Sequence, residues 1–268
     1  MASKYLGRED APFEESVWEA LDGMVVAAAR AQLSARKLLD IDGPYGLAAK
    51  SVPLEDRPVA DGDVRMASSR VLPIPLIEAA FALSARDLAT FEETGFSLDS
   101  EAISRAAMAV AAAEDALVFE GNKGLGIEGL LNAKGALSVK LGKWEEVGTA
   151  ANDVIKALNA LDDAGFHGPY ILALSTALYN MLHRIYPQGY QVEMQHVESI
   201  VGGKVVKAPG IKQGGVLLAS GKQFASIVIG QDMTTGFIGP SDSGYEFRIS
   251  ESLAPRIRVP ASVCVLKA

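Results

Sequence analysis

Metal binding and nucleophilic catalysis draw most often on histidine and cysteine. This chain holds three histidines, His167, His183 and His196, and a single cysteine, Cys264. Zinc sites bring ligands in close pairs such as C-x₂-C or H-x₃₋₅-H, and no two of these four residues stand at such a spacing. His167 falls in a glycine-flanked turn and His183 at the end of a predicted helix, so both read as turn or surface residues. Cys264 lies within Val263-Cys264-Val265-Leu266, where a thiol serves as a small apolar side chain. Nothing pairs it with a histidine as nucleophile and base. One cysteine allows no intrachain disulfide, which suits a reducing cytoplasm.

Gly124-Leu125-Gly126-Ile127-Glu128-Gly129 matches the pattern G-x-G-x-x-G. A dinucleotide site needs a strand before these glycines and a helix after them, so that the helix N-terminus meets the pyrophosphate. Here a predicted long helix precedes and only Leu130-Leu131 follows, so the glycines read as a helix-ending turn. Glu114-Asp115 stand together in that helix, but adjacent helical positions point to different faces. They read as solvated or salt-bridged charge at an interface, not as an acid–base pair. No catalytic constellation remains, and the chain is expected to be no enzyme, with no metal and no cofactor.

The elements that carry these residues follow from periodicity. Pro12 and Glu14-Glu15 suit a helix start, and Val17, Trp18, Leu21, Val25, Ala28 and Ala29 recur at helical spacing to about Leu39, before Gly43-Pro44. Residues 47–72 carry Pro53, Pro58 and a polar Asp61-Gly62-Asp63 tip. They read as an extended hairpin arm too poor in apolar residues to bury itself, and so to be packed on another subunit. A strand over 74–84, a short helix ending near Gly95, and a long helix from an Asp99 N-cap to about Glu120 come next. Beyond these stand a helix over Trp144–Ala164, a strand at Tyr170–Leu174 and a helix over Thr176–Ile185. From Lys204 the pattern is β: Val205-Val206, Val216–Leu218, Phe224–Ile229, Phe247–Ile249, Ile257–Val259 and Val263–Leu266. The class is α+β.

Composition narrows the partners. The chain is 49% hydrophobic with a formal charge of −8, and an acidic surface repels phosphate backbones, so nucleic acid is not expected. The N-terminus is charged where a signal peptide is apolar, and the longest apolar run, Ala106–Ala113, is too short for a membrane span. A cytoplasmic protein is expected.

Several segments, read in order, resemble one family. They are Gln32-Leu33-Ser34-Ala35-Arg36-Lys37-Leu38-Leu39-Asp40-Ile41-Asp42-Gly43-Pro44-Tyr45-Gly46, then Pro75-Leu76-Ile77, and Glu114-Asp115 with Phe119-Glu120-Gly121. Ile127-Glu128-Gly129-Leu130, Gly168-Pro169-Tyr170, Gly230-Gln231-Asp232 and Phe247-Arg248-Ile249-Ser250-Glu251-Ser252 complete the set. Together they look like the family 1 encapsulins, shell proteins of bacterial nanocompartments with the HK97 phage-capsid fold.

The resemblance implies an N-terminal arm and helix over 1–46 and an extended loop over 47–72. It implies a peripheral domain over 73–131 and 226–268, holding the last strands, with an axial domain over 132–225. It further implies self-assembly into an icosahedral shell, in multiples of sixty copies, around a cargo enzyme. A ferritin-like iron-storage protein or a dye-decolorising peroxidase, held by its C-terminal targeting peptide, is the expected cargo. The matching cargo groove centres on Ala29, Leu33, Arg36, Leu39 and Asp40. The five-fold pore loop matches Tyr186, Pro187, Gln188, Gly189 and Tyr190. Some relatives bind flavin against an aromatic where this chain has Arg86, so flavin is not carried over. A phage or prophage major capsid protein is the alternative.

Overall fold

The computed structural model describes residues 4–61, 64–96, 98, 100–187 and 189–268. Along the chain run α1 (Glu15–Gln32), β1 (Asp40–Asp42), β2 (Ser51–Asp61), β3 (Val64–Pro73), β4 (Leu76–Ser84), α2 (Ala85–Thr94) and α3 (Ser100–Glu120). The short strands β5 (Gly121–Asn122) and β6 (Ile127–Glu128) lead to β7 (Leu137–Lys140), α4 (Thr149–Asp163), β8 (Tyr170–Leu174), α5 (Thr176–Met181) and α6 (Glu193–Val201). The remainder is β9 (Lys204–Lys207), β10 (Gly215–Ala219), β11 (Ala225–Ser241), β12 (Gly244–Ile257) and β13 (Val263–Lys267). The strands form sheets ordered β1-β11-β12-β4 and β7-β13-β10-β8-β9, and the hairpins β2-β3 and β5-β6. Two compact units result: Met1–Leu33, Gly43–Glu114 and Ile229–Leu253 make one, and Ser34–Asp42, Asp115–Val228 and Ala254–Ala268 the other.

In the first unit, α1 buries Val17, Trp18, Leu21, Val25 and Ala29, one stripe at helical spacing. Val17, Trp18, Leu21 and Val25 pack with Phe81, Leu83, Leu88, Ile103, Phe247 and Ile249. Phe81 and Phe247 stand opposite each other in the antiparallel β4–β12 pairing, their rings stacked at 5.2 Å. Burying one such ring contributes about 1.5–3 kcal/mol. The Ser84 hydroxyl accepts the Asp87 N–H at 3.0 Å and starts α2, and Gly95, at φ 70°, ends it. Asp99, read as the cap of α3, lies outside the described residues.

The arm is antiparallel from Ser51 opposite Pro73 to Asp61 opposite Val64, with a register shift between Leu54 and Arg57. Gly62 and Asp63, at its expected tip, lie outside the described residues. Among those described, neither arm strand pairs with any other strand. Val71 and Met66 are 60% and 52% exposed on it. A lone two-stranded hairpin is marginal in water.

In the second unit, α4 and α6 cover the five-stranded sheet. Val154, Ala157 and Leu161 meet Met194, Val197 and Val201 in one cluster with Leu172, Leu217 and Cys264. The resemblance placed the last strand in the peripheral sheet. It runs instead between β10, antiparallel, and β7, parallel. Val263, Cys264, Val265 and Leu266 are all buried, as a strand covered on both faces requires.

Several expected boundaries move. The first helix stops at Gln32 and not near Leu39, because the Asp115 carboxylate takes the Ser34 and Ala35 N–H groups at 2.9–3.1 Å and draws the chain into a 3₁₀ turn. The fourth helix begins at Thr149 and not Trp144, since Gly148 at φ 99° breaks the run before it. The fifth ends at Met181, short of Ile185. The predicted β segments from Phe224 onward join into strands of 17 and 14 residues, β11 and β12. Helix α6 and strand β7 were not expected.

Candidate functional site

The residues that could do chemistry are spent on structure. At Gly121 and Gly129 an added Cβ would collide with the facing backbone of the β5–β6 turn, so these glycines serve close backbone approach. Asp115 is no solvated charge: it is buried, and besides the two N–H groups it accepts the Ser34 hydroxyl at 2.5 Å. Glu114 is buried as well. The expectation of solvated charge is corrected for both, and burial beside the Ser34 and Ala35 N–H groups turns Asp115 into a backbone anchor. Burial pushes the Cys264 thiol up to about 11, far from a nucleophile's range. His167 is exposed beside Asp162, whose carboxyl is held low, first by the Tyr170 hydroxyl. His183 rests edge-on against Tyr179. Among the described residues no group of three His, Cys, Asp or Glu could hold a metal, and no helix is long and apolar enough to cross a membrane. Arg86 is exposed on α2.

Of the expected cargo groove, Ala29 and Leu33 come together, but in a buried cluster with Ala111 and Met233. Ala29 is only 3% exposed. In the other unit Leu39 is buried, Arg36 is half-buried, and Asp40 is exposed at the start of β1. The outward face of α1 is different: Ser16, Glu19, Gly23, Val26, Ala27, Arg30 and Ala31. The alanines of α1 therefore divide, with Ala29 packed and Ala27 and Ala31 open, a split that the i, i+3, i+4 pattern of the buried stripe already draws.

The expected pore loop is a short projecting turn. Ile185 and Val192 form an antiparallel bridge, and the Tyr186 and Gly189 N–H groups donate to Gln191 O and Tyr186 O at 3.0 and 3.2 Å. Pro187, Gly189 and Tyr190 are exposed, Tyr190 fully so. Gln188 lies outside the described residues. Below the turn sits a pair that sequence reasoning missed: Arg184 donates to the fully buried Glu193 at 3.0 Å. Its signal was the helical spacing of Met194, Val197 and Val201 before Gly202, which marks α6 and sets Glu193 at its start.

Against this geometry, the chain was compared with known proteins. The family model described as Linocin_M18, encapsulating protein for peroxidase, matches residues 3–254. The chain belongs to the encapsulin family. It is 31% identical over 276 residues to the type 1 encapsulin shell protein EncA of Myxococcus xanthus, covering 98% of this chain and 96% of that one. A diheme-cytochrome-encapsulin shell fusion protein of Kuenenia stuttgartiensis is also 31% identical, over 93% of this chain and 72% of its own. Among solved structures, the virus-like particle from Pyrococcus furiosus superposes with a TM-score of 0.76 at 22% identity, over 94% of this chain and 99% of that one. The capsid of the myovirus XM1 gives 0.60 at 12% identity, over 85% and 88%. The fold of this encapsulin is thus the HK97-like capsid fold. The protein is a structural shell subunit and not an enzyme.

Proposed function

We propose that copies of this encapsulin close into an icosahedral shell, in multiples of sixty, in the cytoplasm. The shell encloses a ferritin-like iron-storage protein or a dye-decolorising peroxidase held by its C-terminal targeting peptide. The observation that carries the assembly reading is the β2–β3 arm, a two-stranded ribbon with exposed Val71 and Met66 and no further strand beside it among the described residues. Such a ribbon gains stability by lying on a neighbouring copy. The relatives support the cargo half: the matched family is described as encapsulating a peroxidase, and the Kuenenia relative joins a cytochrome to its shell.

In this reading the arm spans 47–72, the peripheral part 73–131 with the chain from 226 up to β13, and the axial part 132–225 with β13 added to its sheet. The targeting peptide meets α1 on its open face at Val26, Ala27 and Arg30, with Ala29 and Leu33 as buried support. Arg36 and Asp40 contact the peptide's polar groups. Tyr186, Pro187, Gln188, Gly189 and Tyr190 line the five-fold opening. No nucleic acid and no membrane take part. Deleting residues 52–70 is expected to leave small species or aggregates and no shells under negative-stain microscopy. Intact shells from that deletion would overturn the role given to the arm.

A further inference from the structure

We propose that Tyr186 and His196, above the Arg184–Glu193 pair, are positioning residues that hold the exposed turn at 189–190 and thereby govern which small solutes cross the shell. The second half of this inference rests on the reading of that turn as the pore lining.

Two layers of contact hold the turn, and they differ in kind. The lower layer belongs to the core of the unit. The Glu193 carboxylate has no exposed surface, and both its oxygens are used: Oε1 accepts the Gly148 N–H at 2.7 Å and Oε2 accepts Arg184 Nη2 at 3.0 Å. The Arg184 guanidinium spends its other donors on Trp144 O, Glu145 O and Met181 O at 2.7, 3.1 and 2.9 Å. The backbone closes at the same point, with Glu193 N–H donating to Arg184 O at 2.9 Å. With Glu193 fully buried and both its oxygens bonded, the pair cannot be altered without disturbing its surroundings.

The upper layer touches the turn itself. The Tyr186 hydroxyl lies 2.8 Å from His196 Nδ1, one turn further along α6 than Glu193. The two rings stand edge to face at 5.7 Å. On the other side the ring lies against Gly148, where an added Cβ would stand at ordinary contact distance, 3.5 Å, from Tyr186 Cε1. Burial, and then the Glu193 charge, raise the Tyr186 hydroxyl above its ordinary pKa, so the phenol stays protonated. Past Tyr186, Gly189 and Tyr190 are exposed, and the turn is closed by the backbone bonds Gly189 N–H to Tyr186 O and Tyr186 N–H to Gln191 O. Beyond these backbone bonds, the Tyr186–His196 contact is the side-chain tie between α6 and the turn among the described residues.

The test uses assembled particles of the parent, Tyr186→Phe, His196→Phe and the conservative His196→Gln. Two quantities are read. The first is hydrogen exchange of the amides in 185–192. The second is the rate at which iodide added outside quenches fluorescein-labelled dextran trapped inside by disassembly and reassembly. Tyr186→Phe and His196→Phe are expected to speed exchange about fivefold, the loss of roughly one net hydrogen bond, and to change iodide entry at unchanged particle diameter. His196→Gln is expected to restore both toward the parent. Unchanged exchange in both phenylalanine variants overturns the positioning role. Faster exchange with unchanged iodide entry overturns the solute half and places the failure in the pore reading. Failure of both phenylalanine variants to assemble also overturns the proposal, because the bond then belongs to the fold.

Discussion

Asp153 lies almost out of solvent, its side chain 5% exposed, and accepts hydrogen bonds from Gly142 N, Trp144 Nε1 and Lys156 Nζ at 2.7, 3.0 and 2.8 Å. Burial alone would raise its carboxyl; the bonds from Lys156, Gly142 and Trp144 outweigh it and hold the carboxyl below its ordinary range. A depressed native pKa contributes stability that is present above the unfolded value, near 4, and is lost as pH falls through the native value. Asp153→Asn is expected to cost about 1–3 kcal/mol at neutral pH, the range for leaving buried partners unsatisfied. In denaturant titrations the gap from the parent should shrink below about pH 4. A gap independent of pH would remove the charged carboxylate from the account. Ala29 calls for a different expectation. Its cluster with Leu33, Ala111 and Met233 leaves no room for bulk, so Ala29→Trp is expected to destabilise the subunit by about 1–3 kcal/mol through overpacking. Arg36→Glu should instead leave particles intact and reduce loading of a monomeric reporter bearing the targeting peptide, counted per shell. Parental melting of Ala29→Trp, or parental loading of Arg36→Glu, would refute the corresponding half. The burial of Asp153 was not legible, because an acidic residue in a chain of charge −8 carries no mark of which helix face it occupies.

Elements were legible where a stripe or a stop residue wrote them. The α1 stripe, the Gly95 stop of α2 and the apolar strand at Tyr170–Leu174 all stand where periodicity and glycine put them. Misread boundaries share a cause: a tertiary partner overrode local preference. Leu33–Leu39 keeps helical composition, but Asp115, 80 residues away, captures its N–H groups. Strand β7, with its half-alternating Leu137-Ser138-Val139-Lys140, is four residues long and exists because β13 arrives beside it; no local signal predicts such a pairing. Ser84 belongs to the legible kind. Its hydroxyl takes the Asp87 N–H, and Ser84→Ala is expected to cost about 0.5–2 kcal/mol, the usual loss of an N-cap. Ser84→Asp, which can cap as well, should recover most of that loss in the same melting experiment. Equal stability of parent and Ser84→Ala would show that the cap contributes nothing there.

At the scale of the molecule, the family could be read from the order of short motifs along the chain, while the cargo surface could not. The residues expected to form one groove fall partly into a packed core, since a stripe of small side chains suits close packing as well as an open face. The discontinuous make-up of the second unit has a consequence for how the protein is made. Strand β7 emerges from the ribosome long before β13, its neighbour in the sheet. At ordinary translation speeds of about 5–20 residues per second, β7 waits on the order of ten seconds for its partner, and the facing edge of β10 on the order of a few seconds. This unit therefore completes its sheet only as synthesis reaches residues 263–267, and a nascent chain paused before that point presents unsatisfied strand edges to chaperones and not a subunit ready to join a shell.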